Sequence, residues 1–107
     1  MYAIKEDNKV VKGKEVPTFK REIISCNILE VEAGTNGYHG GDTGHGSRTY
    51  FRIRDLGSTD ITARVLGKYG DEGIEVSLAG DCELETVIKA LKFITKVLED
   101  QTGEVYD

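Results

Sequence analysis

Residues 28–55, ILEVEAGTNGYHGGDTGHGSRTYFRIRD, place two alternating segments on either side of a glycine-rich stretch. Before it, Leu29, Val31 and Ala33 alternate with Glu30 and Glu32. After it, Thr49, Phe51 and Ile53 alternate with Arg48, Tyr50, Arg52 and Arg54. Successive side chains of a strand point to opposite faces, so each segment reads as a half-buried strand with one apolar and one charged face. Between them, six glycines fall from Gly34 to Gly46. A stretch with so few side chains buries little, and Gly34 to Ser47 reads as a loop of unusual backbone conformation.

The same rhythm continues downstream. Ile61, Ala63 and Val65 oppose Asp60, Thr62 and Arg64, while Ile74, Val76 and Leu78 oppose Glu75 and Ser77. Turn residues at Leu56-Gly57-Ser58 and from Lys68 to Gly73 separate these runs. Three consecutive strands with short connections predict an antiparallel meander. Upstream, Ile23 to Ala33 is β-prone. Residues 1–20 are lysine- and glutamate-rich and read as an edge strand or an arm, with a hairpin turn at Val10-Val11-Lys12-Gly13-Lys14.

From Asp81 onward the period changes to that of a helix. Asp81 is a good N-cap, Glu83 and Glu85 suit the positive end of the helix dipole, and Lys89, Lys92 and Lys96 follow. Leu84, Val87, Ile88, Leu91, Ile94 and Leu98 form the stripe expected to face the sheet. Ala90, Phe93 and Val97 fall on a second line, to be covered by the amino-terminal arm or by a second copy in a homo-oligomer. Gly103 reads as the stop signal. The expectation is one α+β domain over residues 1–107, an antiparallel β-meander sheet packed by one C-terminal amphipathic helix.

Composition excludes several functions. With 14 Lys and Arg against 19 Asp and Glu, a net charge of -5, the chain lacks the basic excess that drives non-specific DNA binding. No window approaches a membrane-spanning length of apolar residues. Met1 is followed by Tyr2-Ala3-Ile4-Lys5-Glu6, without a signal-peptide core, so the expectation is a cytoplasmic protein. Cys26 and Cys82 have no ligand spacing and read as reduced thiols, Cys26 buried and Cys82 incidental in the first helical turn.

The residues able to carry a function cluster at the loop. Glycine lets backbone N–H groups converge on an anion, and an adjacent arginine face supplies guanidinium forks for phosphate. Tyr38, His39, Gly40, Gly41, Asp42, His45, Gly46, Ser47, Arg48, Tyr50, Arg52 and Arg54 are therefore the candidate ligand-binding residues, with Tyr38 or Tyr50 stacking on a base and Arg64 joining from the next strand. Alternatively the loop only turns the chain, and Asp55, Asp60, Glu75, Glu30 and Glu32 neutralise the arginines across strands. The loop lacks the lysine of a Walker loop, and Gly37-Tyr38-His39-Gly40-Gly41 does not match a dinucleotide fingerprint. His39, Asp42 and His45 lack a third strong metal ligand. No spacing shows a base and an orienting partner for Ser47. No catalytic residue, metal or cofactor is expected.

The residues GTNGYHGGDTGHGSRTYFRI (34–53), GSTDI (57–61) and GDCELETVIKALKFITKVLE (80–99) resemble small proteins encoded by phages of Gram-positive bacteria, over roughly residues 29 to 100. Within that group the chain is similar to the Thoeris anti-defense one family, proteins with an amino-terminal sheet and carboxy-terminal helices. The chain departs from that pattern in showing one clear helix. The resemblance implies a sponge that holds a cyclic nucleotide or ADP-ribose-derived immune signal without turnover, commonly at a dimer-formed pocket, in the host-cell cytoplasm. A rival reading is an inhibitor that binds a host defence protein through its acidic surface, as small anti-CRISPR proteins do.

Overall fold

Two consecutive left-handed residues, Lys12 at φ 48° and Gly13 at φ 85°, fold the first hairpin. A two-residue turn with both centres at positive φ twists in the same sense as the strands it joins. The computed structural model describes residues 4–24, 28–37, 47–57, 60–67 and 72–102. The elements are β1 (Lys5–Val11), β2 (Lys14–Ile24), β3 (Ile28–Thr35), β4 (Thr49–Gly57), β5 (Ile61–Leu66), β6 (Gly73–Leu78) and α1 (Asp81–Thr102). Cys26, Gly103 and most of the turn expected at 68–73 lie outside the described residues.

The fold is α+β. Strands β1 to β4 form one antiparallel sheet in sequence order, and α1 packs chiefly on β3. Register carries the two faces across the sheet. Phe19, Ala33 and Phe51 form one row, and Arg21, Val31 and Ile53 the next. Lys20, Glu32 and Arg52 form a row on the opposite face, as do Glu22, Glu30 and Arg54. Within the amino-terminal segment residues 5–11 are thus an edge strand, β1, with the expected turn after it, whereas residues 14–20, expected in the same edge strand or arm, begin β2, an interior strand.

The meander therefore joins β1 to β4, a correction to the expected arrangement of β4, β5 and β6. Strands β5 and β6 pair only with each other, in a separate two-stranded ribbon. Alternation alone gives each strand its faces but not its neighbours, and β4 remains the edge of its sheet. In the ribbon's register Ile61 faces Leu78, Ala63 faces Val76 and Val65 faces Ile74, so six apolar side chains share one face. Val65 is 86% exposed and Ile74 64%.

The helix face is also corrected. Thr86, Ala90, Phe93, Ile94 and Val97 are the buried residues of α1, and the core joins Ala90, Phe93, Ile94 and Val97 to Ile23, Val31 and Ala33. Of the stripe assigned to the sheet by its spacing, Ile94 is in the core and Leu98 packs against it, while Leu84 and Leu91 are 56% and 51% exposed and Ile88 is exposed with them. The short Thr86 and Ala90 on the buried line let the first half of the helix approach the sheet. Buried Thr86 satisfies its hydroxyl by donating to Cys82 O at 2.7 Å. Gln101, on the same line, fixes the far end: Thr35 N–H donates to its Oε1 at 2.8 Å, and its Nε2 donates to Pro17 O at 2.9 Å. Ala90, Phe93 and Val97 are consequently core and not an interface.

At the helix start Gly80, at φ 115°, is the N-cap, because its carbonyl accepts from Leu84 N–H at 3.1 Å. Asp81 is the first helical residue, one place later than its expected role. Glu83 Oε2 accepts from Asp60 N–H at 3.3 Å and ties the helix start to the entry of β5. Cys82 is disulfide-bonded, which overturns the reading of two reduced thiols; Cys26 is the only other cysteine in the sequence.

Gly34 opposes Thr18 in the ladder, and a Cβ there would overlap Pro17 O and lie 2.7 Å from Thr18 Cγ2 and 2.8 Å from Thr18 Cα. Two of these three atoms are backbone and cannot rotate away. Gly34→Ala should therefore destabilise the fold by about 2–3 kcal/mol, read as a lower midpoint in urea unfolding at unchanged slope. An unchanged midpoint would show that β2 and β3 do not approach this closely.

Candidate functional site

Glu32 lies on the sheet face opposite α1 and is nevertheless fully buried, 0% exposed. A buried carboxylate requires compensation, and it is drawn from every other strand of the sheet. Thr18 Oγ1 of β2 donates to Glu32 Oε2 at 2.6 Å. Lys9 Nζ of β1 lies 3.6 Å from Oε1, and Arg52 Nη2 of β4 lies 3.0 Å from the same atom. The Arg52 contact is close but misaligned, so Oε1 gains charge without a formal hydrogen bond.

Glu30, two residues earlier, accepts from Arg52 Nη2 at 2.9 Å and pairs with Arg54 Nη2 at 3.0 Å. The cross-strand pairing expected from the sequence is thus observed for Arg52 and Arg54. Each arginine uses Nη2 alone: Arg52 Nε is buried without a partner, and the Arg54 side chain is 55% exposed. Asp7 extends the network on β1. Asn8 N–H donates to its Oδ1 at 2.7 Å, and Lys9 and Lys20 lie 3.7 and 3.6 Å from Oδ2. The Asn8 hydrogen bond first, then the two lysines, hold the Asp7 carboxyl below its ordinary value. A depressed carboxyl adds stability at neutral pH that is lost as the solution is acidified through its folded value.

Arg48 has a different task. Its Nη1 donates to Ser47 O at 3.0 Å, and Nε and Nη2 donate to Lys12 O at 3.3 Å each. It staples the first hairpin turn to the start of β4. Beside it the ends of the glycine-rich segment are clamped together. Asn36 N–H donates to Arg48 O at 3.1 Å, Arg48 N–H donates to Asn36 Oδ1 at 2.7 Å, and Thr35 Oγ1 donates to Arg48 O at 3.0 Å. Gly37 N–H donates to Thr35 Oγ1 at 3.1 Å. A shallow polar recess of about 250 Å³ opens here, lined by Val11, Lys12, Ser47, Arg48 and Thr49.

The structure thus brings Tyr50, Arg52 and Arg54 to one face of β4, with Ser47 and Arg48 at its start. Tyr38, His39, Gly40, Gly41, Asp42, His45 and Gly46 lie outside the described residues. Arg64 does not join the face; it sits on β5 and pairs with Glu75 across the ribbon. Among the described residues no group of three or more His, Cys, Asp or Glu is placed to hold a metal ion, and no helix is long and apolar enough to cross a membrane. Sequence reading missed Lys9 and Thr18 as partners of Glu32. Their signal is register, which a single strand's alternation does not carry.

Burial ranks the two arginines. Arg52→Ala leaves Glu32 buried with its charge answered only by Lys9 at 3.6 Å, and partial exposure of the arginine brings the expected loss to about 2–3 kcal/mol. Arg54→Ala should cost under about 1 kcal/mol. Chemical denaturation of both variants checks the ranking, and equal losses would contradict it. Compared with protein-family models, curated proteins and solved structures, the chain matches none.

Proposed function

We propose that this chain is a phage anti-defence protein that captures a small anionic nucleotide-like signal, a cyclic nucleotide or an ADP-ribose derivative, and holds it without turnover. The observation that carries the reading is the arrangement of Arg52 and Arg54 on Glu30, through Nη2 alone. A guanidinium carries five N–H donors in a fixed fork. Tethering one nitrogen to a carboxylate holds the fork in place and leaves donors for a phosphate, with little ordering cost on binding. Tyr50, on the same face, supplies a stacking surface for a base. The clamp through Thr35, Asn36, Gly37 and Arg48 lies at the Thr49 end of β4, the end nearer Tyr50.

Such a protein acts in the host-cell cytoplasm. The Cys82 disulfide weighs against long residence there, since cytosolic thiol pools keep most cysteines reduced. Calorimetric titration with cyclic nucleotides and ADP-ribose-derived signals should give saturable heat, and Arg54→Ala should weaken it at least tenfold while lowering the melting temperature by no more than the small loss of its Glu30 ion pair allows. Ligand recovered after heat denaturation should be chemically unchanged. Absence of heat with every candidate defeats the proposal, and altered ligand would make the protein an enzyme.

Self-association belongs to the same reading, on a surface other than the one read from the sequence. Val65, Ile74 and Val76 of the ribbon and Leu84, Ile88 and Leu91 of α1 are all exposed. Each is an apolar surface for a second copy to cover. A two-stranded ribbon is marginal by itself, and only a second copy is always present to cover it. The same surface favours, as a second reading, an inhibitor that docks on a host defence protein. Light scattering should report twice the 11.8 kDa chain mass, and Val65→Lys with Leu91→Lys should return the monomer. A monomer before substitution would leave the host-protein reading as the account of this surface.

A further inference from the structure

On the helix side of the sheet, Ile4 just before β1, together with β2 and α1, encloses a half-open groove of about 580 Å³. Ile4, Phe19, Phe93 and Val97 line it with apolar surface, while Arg21, Lys89, Lys92 and Lys96 bring positive charge and Asp100 one carboxylate. Lys96 is taken by Asp100 at 3.1 Å and Lys89 lies 4.0 Å from Glu85. Among the described residues no carboxylate pairs with Arg21 or Lys92. The Arg21 guanidinium carbon stands 5.8 Å from the centre of the Phe93 ring, and its Nε is buried without a hydrogen-bond partner.

Arg21 shares its register row with Val31 and Ile53, so it is a cation placed on the apolar face. On the other face Arg52 and Arg54 have carboxylates supplied by the neighbouring strand β3. Here none is supplied, and a buried N–H without an acceptor marks a place where an acceptor belongs. The Phe93 ring keeps the guanidinium in position by its negative π face, and the Nη1–Nη2 edge of the fork, which unlike Nε is not buried, is left to a bidentate oxyanion.

We propose that this groove binds an amphipathic monoanion, a carboxylate or similarly small oxyanion head on an aliphatic or aromatic body. The head sits on the Arg21 fork with Lys92 as the second charge, and the body lies between Phe19, Phe93, Val97 and Ile4. A nucleotide fits poorly, because its sugar hydroxyls would lose water against those four apolar side chains and gain no partner. The site is on the sheet face away from Arg54, and its fate does not depend on the nucleotide reading.

Titrating dodecanoate below its micellar concentration into isotope-labelled full-length protein tests the assignment. Saturable shifts are expected at Arg21 Nε–H and at the methyl groups of Ile4 and Val97. Dodecan-1-ol, which keeps the body and lacks the charge, should bind at least tenfold more weakly. Arg21→Gln should lose at least tenfold in dodecanoate affinity, and Arg54→Gln should lose none. Should Arg21→Gln fail to fold, Lys92→Glu, on the exposed side of α1, should also lose at least tenfold. Equal binding of alcohol and acid, unaltered affinity in folded Arg21→Gln or in Lys92→Glu, or shifts confined to Val65, Ile74 and Leu84 would each overturn the proposal. So would AMP shifting the groove residues where dodecanoate does not.

Discussion

The buried carboxylate of Glu32 is the constraint on which the four-stranded sheet depends. A charge removed from water is tolerated only where the chain supplies replacements for it, and those come from Lys9, Thr18 and Arg52, one on each of the other three strands. A slip of any strand by one residue would turn its contributor to the opposite face and leave the carboxylate unanswered. Register is therefore specified from the polar face as firmly as from the apolar one. The core side alone is permissive, since Ile, Val and Ala neighbours tolerate exchange better than an ion does.

The second determinant is the seating of the helix. Thr86 and Ala90 are short and Gln101 ends the same line, so α1 lies close over β3 and its last turn is bonded to backbone groups of both central strands. Gly34 belongs to the same economy of space: Pro17 O, which receives the Gln101 amide, is also the atom that a Cβ at position 34 would strike. Close approach of β2, β3 and the helix end at one point explains why the larger stripe of Leu84, Ile88 and Leu91 was left outside.

Much of the fold was legible in the sequence. Alternation identified the two faces of β3, β4, β5 and β6 but not their burial, since β3 is buried on both faces and Phe51, Val65 and Ile74 are exposed; the Lys12-Gly13 turn marked the first hairpin, and the change of period located the helix within a residue at its start. What was not legible involves choices between surfaces of equal pattern. Two lines of apolar residues run along α1, and hydrophobicity ranks Leu84 and Leu91 above Ala90, whereas packing distance ranks them the other way. Strand partners depend on contacts between distant segments: β5 was assigned beside both β4 and β6, and of these it pairs with β6 alone. At the candidate site, the acidic partners of Arg52 and Arg54 were readable from composition of the neighbouring strand. The clamps through Asn36, Thr35 and Arg48 were not, because they use backbone groups that every sequence has.

Electrostatics then separates the two faces of one sheet. The net charge is -5, yet both faces carry fixed cations, and the two kinds of placement imply different guests. Around Glu30 and Glu32 the cations are held by carboxylates in a polar setting, where an incoming phosphate exchanges water for organised N–H donors and its own hydroxyls still find partners. Around Arg21 the setting is apolar, so an anion gains only if most of its surface prefers to leave water. Under the two proposals the same residue type thus sorts ligands by their solvation: Arg52 and Arg54 would take a highly hydrated polyol phosphate, and Arg21 a head group on a hydrocarbon.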